Sequence, residues 1–199
     1  DGGAGSGVVY DVLTDLSVNG FSNDGDYKSV TAGTSNLVLG VNAGNSIASG
    51  GNYNVTIGDE AGTALTTGDG NVAIGFEALT TEDAHGNNTA VGYRTLKVLN
   101  AGAEGYNTAV GFDAGLAITT GVQNTIVGGL AGDAITTGDY NVGVGVHAVG
   151  STTTADGNTA IGYNAMFANT TGASNTAVGR NALDANTTAD NNTAIGMDA

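Results

Sequence analysis

The sequence predicts an all-β fold, a parallel β-solenoid or β-roll of about ten coils with 17 residues in each. Three observations predict it: a short signature recurs at a nearly fixed step, β-branched residues recur within each copy, and glycine marks one position of every copy. Seventeen residues are too few for a helix–turn–helix repeat. One coil per copy, stacked about 4.8 Å apart, gives a rod on the order of 45–50 Å long.

The signature Asn-Thr-Ala-(Val/Ile)-Gly defines the coils, and its asparagine is position 0 of each coil. Successive asparagines are 18, 17, 17, 19, 17, 17, 17, 17 and 17 residues apart. Amides at one position of stacked coils can bond from coil to coil. We therefore predict a structural ladder of Asn36, Asn54, Asn71, Asn88, Asn107, Asn124, Asn141, Asn158, Asn175 and Asn192.

Position +4 is glycine in every copy. This predicts a corner at which the chain needs a positive φ or a close backbone approach. The corner glycines are Gly40, Gly58, Gly75, Gly92, Gly111, Gly128, Gly145, Gly162, Gly179 and Gly196. A second turn is predicted at positions +12 to +14, which read Thr-Thr-Gly in several copies.

The strand faces follow from the alternation of side chains. Positions +1 and +3 share a face and are mostly β-branched, as at Val55 and Ile57, so we predict that they point inward. Position +2 would then point outward, and it carries no charge in any copy. Because a strand that is apolar on both faces is usually covered on both, we predict an oligomer strip. Its residues are Ala73, Ala90, Ala109, Gly143, Ala160, Ala177 and Ala194.

The side chains at positions +8 and +11 of each coil compensate for each other in size. Copies with glycine at +8 have a large apolar residue at +11, as in Gly62 and Leu65. Copies with a large residue at +8 have a polar residue at +11, as in Met166 and Asn169. Constant volume is a property of a packed core, so each coil is predicted to supply one bulky core side chain. The 19-residue copy, with Leu96 and Leu99, is the exception.

Composition excludes several function classes. The net charge is −15, from 19 acidic and 4 basic residues, which argues against nucleic acid and anionic membrane surfaces as partners. No apolar run has the length of a membrane span, so no membrane insertion is predicted. The sequence contains no Cys, and its two histidines occupy non-equivalent coil positions. The carboxylate neighbours Glu82 and Asp83 would point apart on a strand. We predict that the chain is not an enzyme and has no resident cofactor.

Calcium is the one metal that the aspartates suggest. Asp139 and Asp156 occupy position +15 of adjacent coils and could lie about 5 Å apart. Calcium requires six to eight oxygen ligands, and aspartate is also a common turn residue after glycine. Both interpretations stay open for these two residues.

Two further features suggest contact surfaces. Position +5 carries Phe76, Tyr93, Phe112 and Tyr163, which could bind a glycan or pack beside the corner glycines. The 19-residue copy, residues 88–106, contains Arg94 and Lys97, which predict a contact loop unless the two extra residues are a tolerated insertion.

The repeats Asn-Thr-Ala-Val-Gly and Asn-Thr-Ala-Ile-Gly, followed by Tyr-Asn-Ala or Arg-Asn-Ala, resemble the head repeats of trimeric autotransporter adhesins (YadA-like heads). They are similar also to repeat tracts of bacteriophage tail fibres. The resemblance covers residues 36–199, although the period here is a few residues longer than in the adhesins. It implies a left-handed parallel β-roll, three chains around one axis and a role in surface attachment.

These observations predict an extracellular structural or adhesive fibre segment, either a phage tail-fibre shaft or a cell-surface appendage. The expected partners are two further copies in a homotrimer and a cell-surface glycan or protein receptor. The alternatives are an adhesin head, a self-polymerising filament subunit with end-to-end association and an ice-binding solenoid. Residues 1–30 are predicted to form a cap or junction with a degenerate coil, and residues 31–199 the solenoid.

Overall fold

Each copy of the signature forms a three-residue strand at positions +1 to +3. A computed structural model describes residues 31–199, so the predicted cap or junction lies outside the described residues. The strands are β1 (Leu37–Leu39), β2 (Val55–Ile57), β3 (Val72–Ile74), β4 (Thr89–Val91), β5 (Thr108–Val110), β6 (Thr125–Val127), β7 (Val142–Val144), β8 (Thr159–Ile161), β9 (Thr176–Val178) and β10 (Thr193–Ile195). All ten lie in one parallel sheet in chain order. The predicted β-solenoid is confirmed.

Equivalent positions of successive coils pair throughout the sheet. Ala73 pairs with Ala90, for example, and the 19-residue copy keeps the same register, with Ala90 opposite Ala109. The extra residues of that copy are therefore absorbed outside the strand. Beyond the strands, the coils also bond through their turns, as in the 2.9 Å bond from Glu77 N–H to the Asp59 carbonyl. A rod with such short strands is thus hydrogen-bonded along most of each coil.

The asparagines at position 0 form a continuous ladder inside the solenoid. Each side-chain oxygen accepts the backbone N–H of the next asparagine, as in the 2.8 Å bond from Asn71 N–H to Asn54 Oδ1. Most side-chain nitrogens donate to a carbonyl of the second turn, and Asn54 reaches the Gly68 oxygen at 2.8 Å. These amides are satisfied by backbone groups on two sides, which explains why one polar residue type recurs at a buried position.

The predicted assignment of the strand faces is wrong. Position +2 points into the solenoid: Ala73, Ala90, Ala109, Ala160 and Ala177 are fully buried within the single chain. Gly143 is buried too, and Ala194 in the last coil is half-buried. Positions +1 and +3 point outward. The predicted oligomer strip is therefore core, and its small residues fit because the opposite side of the coil supplies the bulky side chain.

The exchange of volume between positions +8 and +11 is seen in the core. Leu65 and Ile118 fill it from position +11, whereas Leu79 and Met166 fill it from position +8. Position +2 takes part in the same balance. A Cβ on Gly143 would lie 2.6 Å from Cγ2 of Val149, so the coil with the smallest +2 residue uses that space for its +8 side chain.

The corner glycines stack directly on one another. Gly128 has a φ of +139°, and a Cβ there would lie 2.5 Å from the carbonyl oxygen of Gly145 in the next coil. Glycine is required by both the backbone conformation and the close approach of the coils. The corner predicted from the sequence is therefore present.

Candidate functional site

The outer sheet face consists of the side chains at positions +1 and +3 of β1 to β10. Position +3 is Leu, Ile or Val in every strand, and position +1 is Thr, Val or Leu, so neither row contains a charge. Within the single chain, Val127 and Ile161 are 36% and 42% exposed. The side chains that were expected in the core thus form an uncharged, mostly apolar face along the rod.

An aromatic stack lies just past the corner, at position +5 of three successive coils. The rings of Phe76 and Tyr93 are 5.2 Å apart between centroids, and those of Tyr93 and Phe112 are 5.3 Å apart and nearly parallel. All three side chains are exposed, as is Tyr163 three coils farther along. The next coil has Gly129 at this position, where a Cβ would have no neighbour within 4 Å. The outer ring face of Phe112 is therefore left open.

The basic residues of the 19-residue copy are engaged in ion pairs. Arg94 Nε donates to Asp113 Oδ1 at 2.9 Å in the following coil, and Lys97 Nζ lies 2.6 Å from Glu77 Oε2 in the preceding coil. The hydrogen bonds that Arg94 donates to the Asp113 carboxylate raise the pKa of Arg94. Both side chains thus bridge coils. The exposed bulge of the copy lies at residues 102–104 instead.

Asp139 and Asp156 accept hydrogen bonds from backbone N–H groups of the second turn. Asp156 Oδ1 accepts the backbone N–H of Asp139 at 2.8 Å, and Asp139 Oδ1 accepts that of Val122 at 2.8 Å. Each carboxylate therefore bonds the preceding coil. Among residues 31–199, neither belongs to a group of three His, Cys, Asp or Glu side chains that could hold a metal ion. This geometry favours the turn interpretation over the calcium interpretation.

One such group does lie in the described part of the chain: Glu82, Asp83 and His85, whose ligand atoms all lie within 4.8 Å of one another. Glu82 and Asp83 converge because they belong to a turn, not to a strand, so the expectation that they point apart is wrong. The Glu82 side chain is completely buried, and this burial raises the pKa of its carboxyl group. The repeat pattern alone does not predict that these residues lie close to His85.

No family model matches the chain, and neither a curated protein nor a solved structure does. Within residues 31–199, no helix is long and apolar enough to cross a membrane. Function must therefore be inferred from the surfaces of the solenoid itself.

Proposed function

We propose that this chain is a segment of an extracellular attachment fibre in which three solenoids associate through their outer sheet faces. The fibre would be a phage tail-fibre shaft or a cell-surface appendage, with an adhesin head as the alternative. The uncharged outer sheet face is the observation that carries the proposal. Large apolar faces of this kind usually mark sites of association.

The pattern of charge along the coil supports this use of the outer sheet face. The chain has 19 acidic residues, yet none of them occupies position +1 or +3. Full burial of a Val or Ile side chain contributes about 1.5–3 kcal/mol, and the +3 row repeats such a residue along the whole sheet. Like-charged chains can associate here because their charges lie elsewhere on the coil. The number three rests on the resemblance to the adhesin and tail-fibre repeats.

Sedimentation equilibrium and light scattering test the assembly. We expect a mass three times the 19.3 kDa chain mass. The variant Val127→Glu places a charge in the middle of the outer sheet face and should dissociate the complex without unfolding the chain. Thr120→Glu adds the same charge at an exposed second-turn residue and should leave the mass unchanged. A wild-type monomer at micromolar concentration, or a Val127→Glu variant that keeps the wild-type mass, would contradict the proposal.

Attachment to a receptor is supported by the aromatic stack. Exposed rings with an open face bind the apolar face of a sugar ring or an apolar side chain of a partner protein. Phe112→Ala should weaken binding to target cells or arrayed glycans. Val41→Ala, which removes an exposed apolar side chain at position +5 outside the stack, should not. Equal binding by both variants would exclude the stack as the attachment surface.

Ice binding is the second candidate, and the outward position of Thr125 and the equivalent threonines favours it. Six of the ten +1 residues are threonine: Thr89, Thr108, Thr125, Thr159, Thr176 and Thr193. They present hydroxyls on the outer sheet face at the regular spacing of parallel strands. The same face cannot be buried in a trimer and bind ice. Thermal hysteresis in a monomeric sample would therefore establish this function and exclude the trimer.

A further inference from the structure

The second turn of the coil that begins at Asn71 departs from the repeat at two positions. Glu82 is the one charged residue at position +11 of any coil. His85 occupies position +14, where the other coils have Gly or Ala. Position +11 is otherwise uncharged and position +14 is otherwise small, so the buried charge at the first and the large side chain at the second need a physical reason.

One backbone hydrogen bond between coils is also missing here. At seven of the eight junctions between the first coil and the ninth, the backbone N–H at position +12 donates to the +12 carbonyl of the next coil, as Thr66 does to Asp83. Within the described residues, the junction between the coils of Asn71 and Asn88 is the one that lacks this bond. Glu82 Oε2 instead accepts the N–H of Ala101, in the following coil, at 3.1 Å. A side chain thus bonds the two coils near the point where the +12 backbone bond is missing, while the rest of the junction keeps backbone bonds such as Val72 N–H to the Asn88 carbonyl.

His85 is left with an unused nitrogen beside the Glu82 carboxylate. Its Nδ1 atom is buried and has no hydrogen-bond partner, and it lies 3.4 Å from Glu82 Oε1. That distance is long for a hydrogen bond between charged groups, which is about 2.7–2.9 Å. It equals the edge of a tetrahedron of ligands about 2.1 Å from a central ion, the bond length of Zn²⁺ to nitrogen and oxygen.

We propose that Glu82, Asp83 and His85 form a binding site for a divalent transition-metal ion, with Zn²⁺ as the best fit. The three ligand atoms are already within 4.8 Å of one another, so small side-chain rotations bring them to one ion. Asp83 Oδ1 accepts the N–H of Ala84 at 2.6 Å, which leaves its second oxygen for the metal. Three protein ligands and a water complete the fourfold coordination that zinc prefers.

The ligand types select against calcium and magnesium. An imidazole nitrogen suits zinc, nickel and copper, whereas Ca²⁺ requires six to eight oxygens and Mg²⁺ an octahedron of oxygens. The partly exposed imidazole of His85 and the half-buried Asp83 give an ion access from solvent. A bound cation would also compensate the buried negative charge of Glu82 and strengthen the junction at the point where the +12 backbone bond is missing.

Calorimetric titration of the full chain with ZnCl₂, after treatment with a chelator, tests the site. We expect a single ion per chain for the wild type. His85→Ala should weaken binding at least tenfold, because loss of a direct ligand costs no less than the roughly 10–100-fold loss measured for supporting residues. This variant restores a residue found at position +14 in other coils, at Ala155 and Ala189, so it should fold. His147→Ala removes the other histidine and should bind zinc like the wild type.

Two further measurements separate a metal site from an ion pair between Glu82 and His85. Co²⁺ in the wild type should give the strong visible absorption of a tetrahedral complex, and Glu82→Gln should abolish it. Zinc should raise the melting temperature of the wild type and of His147→Ala but not that of His85→Ala. Absence of stoichiometric zinc binding by the wild type would overturn the proposal, as would binding of equal strength by His85→Ala.

Discussion

The side chain of Asn141 bonds two separate backbone groups of its neighbourhood. Its Oδ1 accepts the N–H of Asn158 at 3.0 Å, and its Nδ2 donates to the carbonyl of Ala155 at 2.8 Å. One amide thus joins the start of the next strand to the second turn of its own coil. Because the same pair of bonds recurs along much of the rod, the ladder fixes the shape of the coil as well as the stacking of coils.

Asn141→Ala tests this role. The substitution leaves the N–H of Asn158 and the carbonyl of Ala155 without partners in the interior, and each unpaired buried group costs about 1–3 kcal/mol. We expect the free energy of unfolding, measured with urea, to fall by about 2–4 kcal/mol. Asn45→Ala removes an exposed amide that bonds only the neighbouring Ser46 hydroxyl, so its effect should stay within about 0.5 kcal/mol. Equal losses of unfolding free energy for the two variants would show that the ladder bonds do not contribute to stability.

Gly128 and Gly129 are neighbours with opposite tolerance for a side chain. At Gly128 an added Cβ would lie 2.5 Å from the Gly145 carbonyl oxygen, whereas at Gly129 it would meet nothing within 4 Å. We expect Gly128→Ala to destabilise the chain by about 2–3 kcal/mol through strain and forced separation of coils. Gly129→Ala should be nearly neutral. Thermal unfolding followed by circular dichroism distinguishes them, and similar melting temperatures would contradict the importance of corner stacking.

Much of this fold follows from the sequence, because the repeat fixes the coil length, the corner and the ladder independently of any local propensity. The assignment of the faces failed for a physical reason. Alternation shows that positions +1 and +3 share a face, but it does not show which face is inside. Large β-branched residues were placed in the core because of their size. In most coils, however, the bulky core side chain already comes from position +8 or +11, which leaves the small +2 residue to face inward.

The cluster of Glu82, Asp83 and His85 was not predicted from the sequence, for a different reason. Its residues converge through the particular course of one turn, next to the coil with the two extra residues. The repeat predicts average coil geometry, and this turn is a departure from the average. The signal that could have identified it was the lone charge of Glu82 at a core position together with His85 at a position otherwise occupied by Gly or Ala.

Gly143 and Val149 provide a direct test of the volume balance across the core. Gly143→Ala places a Cβ only 2.6 Å from Cγ2 of Val149, which is closer than two carbon atoms can pack. The substitution should therefore destabilise the chain by about 1–3 kcal/mol. Val149→Ala should also destabilise it, by leaving a cavity. The double variant should be more stable than the sum of the single effects predicts, with a coupling of about 1–2 kcal/mol. Strict additivity in urea unfolding would mean that the two positions do not share the space.

Asp133 makes the stability of the solenoid depend on pH. Burial raises the pKa of this half-buried carboxyl group above its ordinary value of 3.8, and the charge of Asp113 adds to the effect, while a backbone hydrogen bond and His147 oppose it. The folded chain therefore binds the proton more tightly than the unfolded chain does. As the pH falls from neutral through the raised pKa toward 3.8, the wild type should gain stability relative to Asp133→Asn.

Urea unfolding near neutral pH and near pH 4 measures this difference. Asp59→Asn, at an exposed residue, is the matched control because it removes the same charge from a chain of net charge −15. In a His147→Ala background the gain on acidification should be larger, since removal of the imidazole takes away an interaction that lowers the pKa of Asp133. Two outcomes would contradict this prediction: the stability difference between wild type and Asp133→Asn does not change with pH, or the wild type loses stability relative to the variant at low pH. Either would show that the fold does not desolvate the carboxyl group.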